Sequence, residues 1–182
     1  MRKNYLISFI LLFHASFALG ECNKESYYCI DTVLGDLRLL SRNDSGDKYS
    51  YIYLNKKLIY KDRADYFSPV PLGFDINESE KKVNKIIIGY YSPFGCLKGI
   101  DDYKCHANIM IDLTKSKPIV SNIFSPPIED SHLSWVSWGE KNSIIVFDDD
   151  SRFKYENGKV EMIYGGYVEE QKKLEMEKEK NK

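Results

Sequence analysis

The sequence predicts an all-β fold of antiparallel meanders, closed by a short charged helix. Three observations carry that expectation. Residues 151–163 (SRFKYENGKVEMI) place Asn157-Gly158 between two period-2 strands. Asn-Gly suits a two-residue type I′ hairpin turn, because both central residues need positive φ. A second hairpin pattern lies at 49–61 (YSYIYLNKKLIYK), and β-branched runs bounded by polar turns recur between the two. The composition then changes over 169–182, where five Glu and five Lys occur with no Gly or Pro. The strands could form a sandwich, a partial barrel or blade-like sheets.

In chain order, residues 1–20 come first. Arg2 and Lys3 precede an apolar run, and Ala18 and Gly20 fit the −3 and −1 positions of a small-x-small cleavage box. This is the pattern of a secretory signal peptide. The run is shorter than the roughly 20 residues a spanning helix needs. An exported chain beginning near Glu21 is therefore expected, with no membrane span after cleavage. The leader carries two basic residues and no acidic one, so its removal moves the formal charge from −1 to −3. That balance gives no electrostatic basis for binding nucleic acid or anionic lipid.

In the 49–61 hairpin, Tyr49, Tyr51 and Tyr53 share one face, and Ile52 and Leu54 the other. A turn at Asn55-Lys56 would place Tyr53 opposite Leu58 and Ile52 opposite Ile59. Two apolar faces suggest a strand pair at the centre of a sheet or at an interface. Residues 62–84 are polar and hold Pro69, Pro71 and Gly73, which reads as a long irregular covering loop. Further strands are expected at 85–91 (KIIIGYY), 107–113 (ANIMIDL), 119–124 (IVSNIF), 133–138 (LSWVSW) and 143–147 (SIIVF). Counting outward from Asn157-Gly158 pairs Glu156 with Lys159, Tyr155 with Val160, Lys154 with Glu161 and Phe153 with Met162. Tyr, Val, Phe and Met then share one face, and two opposite-charge pairs share the other. In the final tract Glu169 stands four residues before Lys173, which favours helix. Only Leu174 and Met176 are apolar there, so a solvated tail is expected. The organisation is thus a leader (1–20), one β domain (21–168) and a helical tail (169–182).

Four cysteines, Cys22, Cys29, Cys96 and Cys105, follow the leader. An exported chain with an even count is best read as disulfide-bonded. Three connectivities are possible. Locality favours Cys22–Cys29 and Cys96–Cys105, and loops that short stabilise by about 2–3 kcal/mol each in the entropic account. A metal site of Cys96, Cys105 and His106 lacks a CxxC knuckle, and an oxidising compartment works against thiolates.

Little else points to catalysis. No GxSxG elbow, GxGxxG or Walker loop occurs, so neither a cofactor nor a metal is expected. After the leader the histidines are His106 and His132, read as a strand-edge residue and a surface-loop residue. Asp101-Asp102 and Asp148-Asp149-Asp150 could in principle run acid–base chemistry or hold Ca²⁺. The second cluster falls where a solvated hairpin turn is due. Aromatic residues stand out instead. Tyr49, Tyr51, Tyr53, Tyr60, Trp135 and Trp138 are the candidate partner-binding residues, because Tyr and Trp concentrate binding energy at interfaces. Trp135 and Trp138, three apart in a strand, should face opposite sides, one towards the core.

The strand KIIIGYY, the Gly-containing segment with Cys96 and Cys105, the strands NIMIDLT and KPIVSNIF, and the YENGKV hairpin resemble small exported β-rich proteins. The resemblance covers residues 85–164. It implies a periplasmic β-rich fold and carries over no catalytic residue. The functional expectation is a periplasmic or secreted, non-enzymatic binding or inhibitor protein. An immunity protein against an envelope-targeted toxin fits it, and the partner would be a protein. Alternatives are an inhibitor of lysozyme-type hydrolases, or a small hydrolase using Asp101, His106 or His132.

Overall fold

The computed structural model describes residues 28–91, 106–128 and 131–180. The expected leader, the start near Glu21, Cys22, Cys96, Cys105 and Asp101-Asp102 lie outside the described residues. So do residues 129–130 and 181–182.

The chain is all-β with a C-terminal helix. The elements are β1 (Tyr28–Thr32), β2 (Gly35–Leu40), α1 (Arg42–Ser45), β3 (Ser50–Leu54), β4 (Lys57–Asp62), β5 (Tyr66–Asn77) and β6 (Lys82–Tyr91). They continue with β7 (His106–Asp112), β8 (Ile119–Val120), β9 (Leu133–Ser137), β10 (Asn142–Phe147), β11 (Ser151–Glu156), β12 (Lys159–Gly165) and α2 (Gly166–Lys180). One sheet runs β4-β3-β2-β1-β6-β7-β8, with β5 on the other edge of β6. It curls into a nearly closed barrel. The junction between β1 and β6 is parallel, at Thr32 and Val83. The second sheet is the four-stranded meander β12-β11-β10-β9.

Alternation along β6 explains how two cores share one strand. Ile86, Ile88 and Tyr90 point into the barrel with Leu37, Leu39, Ile52, Phe67, Ile109 and Ile111. Ile87 points the other way and joins Met110, Ile145, Phe147, Phe153, Tyr155 and Val160 in a second core. From Ile86 to Tyr90 the strand carries no charged residue because both of its faces are buried. Three polar contacts fasten the sheets together. The Tyr155 hydroxyl donates to Asp112 Oδ2 at 2.9 Å. The ammonium of Lys85, whose side chain is 2% exposed, donates to the Gly139 carbonyl and lies 3.7 Å from Asp75. The Asn122 side chain accepts from Val160 N at 2.8 Å and donates to Val160 O at 3.1 Å.

The C-terminal hairpin has the expected register: Glu156–Lys159, Tyr155–Val160, Lys154–Glu161 and Phe153–Met162. Asn157 and Gly158 have φ of 50° and 86°, as a type I′ turn needs. Met162 is nonetheless exposed, on β12 at the edge of the second sheet. The i,i+4 pair Glu169–Lys173 forms at 2.7 Å on α2, and Leu174 and Met176 stay exposed.

Two expectations need correction. Residues 62–84 are not an irregular loop: β5 and the start of β6 occupy them, joined by a turn in which Asn77 Oδ1 accepts from Ser79 N. The prolines fit because β5 is interrupted, its pairing jumping from Pro69 to Phe74 around Leu72 at φ 65°. Proline in a sheet belongs at such breaks, where no ladder N–H is needed. Of the two places expected for the 49–61 hairpin, the structure rules out the centre of a sheet. β4 is a sheet edge, and the outer face of β3 carries partly exposed tyrosines.

Candidate binding surface

The β3 tyrosines form one row. Ser50, Ile52 and Leu54 point inward and are buried, which turns Tyr49, Tyr51 and Tyr53 outward. Ring centroids are 6.4 Å apart for Tyr49–Tyr51 and 6.0 Å for Tyr51–Tyr53. Two of the three rings have side-chain partners. The Tyr51 hydroxyl donates to Asp47 Oδ2, and Lys61 on β4 lies over the Tyr49 ring at 5.1 Å. The hydrogen bond from Tyr51 holds the Asp47 carboxyl below its usual range and pushes the Tyr51 phenol up to about 12. These contacts anchor Tyr49 and Tyr51 on the outer face of β3.

The other expected aromatic residues separate. Tyr60 does not join the row. A bulge between Ile52 and Tyr53 pairs Ile52 with Tyr60 rather than Ile59, so Tyr60 turns inward and packs edge-on against Phe67 at 5.7 Å. Trp138 is half-buried against the second core, while Trp135 is 49% exposed. The two tryptophans thus differ in exposure as the spacing implied, but on the second sheet, away from β3.

A second aromatic group was not foreseen. Tyr66 opens β5 and Tyr91 closes β6, and their antiparallel pairing stacks the rings at 4.5 Å and 16°. His106, first residue of β7, packs edge-on against Tyr91 at 4.7 Å. The three residues are far apart in sequence, and only the strand register unites them. A cavity of about 200 Å³ lies on one side, bordered by Pro69, Tyr91, His106, Ser131, His132 and Phe147. A larger cleft, about 410 Å³, lies beside Tyr66 near α1.

The loop at His132 is hydrogen-bonded to Asp148. The Ser131 hydroxyl donates to Asp148 Oδ1 at 2.5 Å rather than to an imidazole, and lowers the Asp148 pKa. The His132 backbone N–H donates to the same oxygen at 2.9 Å, and its exposed ring sits 3.8 Å from Asp148. His106 and His132 occupy the strand edge and the surface loop expected of them. The 148–150 turn differs from a fully solvated one, since Asp149 is buried. Its carboxylate accepts from Ser151 N at 3.0 Å and from the Ser151 hydroxyl at 2.5 Å. Among the described residues no group of three His, Cys, Asp or Glu is placed to hold a metal ion. Cys29 is disulfide-bonded, and the other cysteines lie outside the described residues. Among the described residues no helix is long and apolar enough to cross a membrane.

No protein-family model, curated protein or solved structure matches this chain.

Proposed function

We propose that this chain is an exported, non-catalytic binding protein that inhibits a protein partner, as an immunity protein blocks a toxin sent into the cell envelope. The observation that carries this reading is the Tyr49–Tyr51–Tyr53 row. Tyrosines on a strand offer large contact area at small entropic cost. The experiment is direct binding to the exported product of a toxin-like reading frame beside this gene, and to a panel of muramidases. The wild-type chain binds one of them, and the Y49T/Y51T/Y53T variant loses about tenfold or more in affinity. Equal affinity of the two chains removes the reading.

The hydrolase reading draws on one observation, that His106 and His132 border the same 200 Å³ cavity. Its test is the H106A/H132A variant: unchanged biological activity excludes catalysis through those imidazoles.

A further inference from the structure

The larger cleft lies at the end of the barrel where α1 meets β5. Its floor is Leu39 and Phe67, both buried in the core. Tyr28 and Tyr66, 42% and 45% exposed, are its aromatic walls. Asp44 and Asp65 line its polar side. Among the described residues no Lys or Arg side chain lines this cleft.

The corner is built to stay in place. The Arg42 backbone N–H donates to Ser50 Oγ at 2.9 Å and to the Asp65 carbonyl at 3.3 Å. The Arg42 guanidinium holds the Asp65 carboxylate at 2.8 Å from outside the cleft. Asp44 accepts from the Ser41 hydroxyl, and its backbone N–H donates to Ser41 Oγ at 3.2 Å. It makes no ion pair with Lys, Arg or His among the described residues. One carboxylate charge is thus offset by Arg42 and one is not. The other face of Tyr66 is occupied by Tyr91, which fixes the ring's orientation.

An apolar floor, two tyrosine rings and an uncompensated carboxylate are complementary to a long side chain ending in a cation. The alkyl stem lies along the exposed Tyr28 and Tyr66 rings, and the charge meets those rings and Asp44. A sugar would use the rings but has no need of the net negative charge. We infer that this cleft receives a basic side chain, arginine or lysine, from the protein partner. The inference rests on the proposed binding function and names the partner's contribution to it. The cleft borders α1, and Asp47 and the tyrosine row follow α1 in the chain.

The probe is N-acetyl-arginine amide, a cation without free termini, titrated into the isotope-labelled full chain and followed by amide NMR. N-acetyl-norleucine amide and a neutral disaccharide are the controls. Saturable shifts centred on Leu39, Asp44 and Tyr66 are expected with the arginine amide, and none of comparable size with either control. D44N and Y66L should each weaken binding about two- to fivefold, as exposed cation–π and ion-pair energies imply. Both sites are partly exposed, and a preserved amide spectrum establishes that each variant is folded. No saturable shift, or equal response to norleucine amide or the disaccharide, overturns the inference. The Y49T/Y51T/Y53T variant separates the two proposals, since it should lose the partner and keep the arginine amide. Arginine-amide binding with no protein partner would leave the cleft's chemistry standing and remove the proposed function alone.

Discussion

The Tyr155 hydroxyl of β11 reaches across from the second sheet and donates to Asp112 Oδ2 of β7 at 2.9 Å. Asp112 is itself buried, and its other oxygen accepts from Thr114 N at 3.0 Å and Thr114 Oγ1 at 2.6 Å. The carboxylate is thereby satisfied inside the interface between the sheets. Removing the hydroxyl leaves one of its oxygens without a donor in a dry site. Tyr155→Phe is therefore expected to cost about 1.5–2 kcal/mol. Urea unfolding reads it as a lower midpoint at constant slope.

The same contact sets a pH dependence. Burial, then the hydrogen bond to Asp112, raises the Tyr155 phenol above its ordinary 10.0. Burial, then the charge of Asp62, raises Tyr60 in the same way. The folded state holds these protons more tightly than the unfolded chain does. The stabilisation is complete below about pH 10 and is lost as pH rises above it. Unfolding free energy measured from pH 8 to 12 should fall beyond pH 10. The fall should be shallower in Tyr155→Phe, and an unchanged slope contradicts the assignment.

Lys85 makes a second fastening, with Asp75 at 3.7 Å and the Gly139 carbonyl. Lys85→Met keeps the volume but removes the charge and the donor. Breaking a buried pair costs about 3–5 kcal/mol when both partners are sequestered. Asp75 keeps some solvent contact, which lowers the expected cost to about 2–3 kcal/mol. The double variant K85M/D75N should recover part of that loss, and thermal unfolding of the three chains measures it.

Gly158 tests the hairpin turn. A Cβ there would stand 2.7 Å from Ile119 Cγ2, on a backbone at φ 86°. Gly158→Ala should cost about 1–3 kcal/mol from strain and the clash. The same substitution at exposed Gly46, where a Cβ meets nothing within 4 Å, should cost less despite its φ of 66°. Equal losses at both positions would argue against contact between the turn and the 119–124 segment.

Local patterns were legible in the sequence, and long-range ones were not. The register at Asn157-Gly158 follows from the turn type alone, because two-residue loops leave no freedom. The outward Tyr49–Tyr51–Tyr53 row follows from period 2. Tyr60 was misplaced because one bulged residue inverts every face beyond it. β5 was missed because Pro69, Pro71 and Gly73 read as loop, whereas its pairing to the fully buried β6 overrides local preference. β1 and β2 carry Asp31, Asp36 and Arg38 on their outer face, which dilutes the apolar alternation. The Tyr66–Tyr91–His106 cluster exists only through pairing of β5, β6 and β7, so no local signal could have found it.

Facing direction separates Tyr51 from Tyr60. Tyr60→Thr empties a place against Phe67 and should destabilise the fold by about 2–4 kcal/mol. Tyr51→Thr loses only surface contacts and should cost under about 1 kcal/mol. Chemical denaturation of the two variants side by side checks the orientation of the row.

The central claim is that the chain acts by binding through its tyrosine row and not by catalysis. The most direct measurement is protection of growth when the chain is exported together with the toxin that it binds. Y49T/Y51T/Y53T should abolish protection while remaining folded, and H106A/H132A should protect as the wild type does. Full protection by the tyrosine variant, with loss of protection in the histidine variant, would contradict the account.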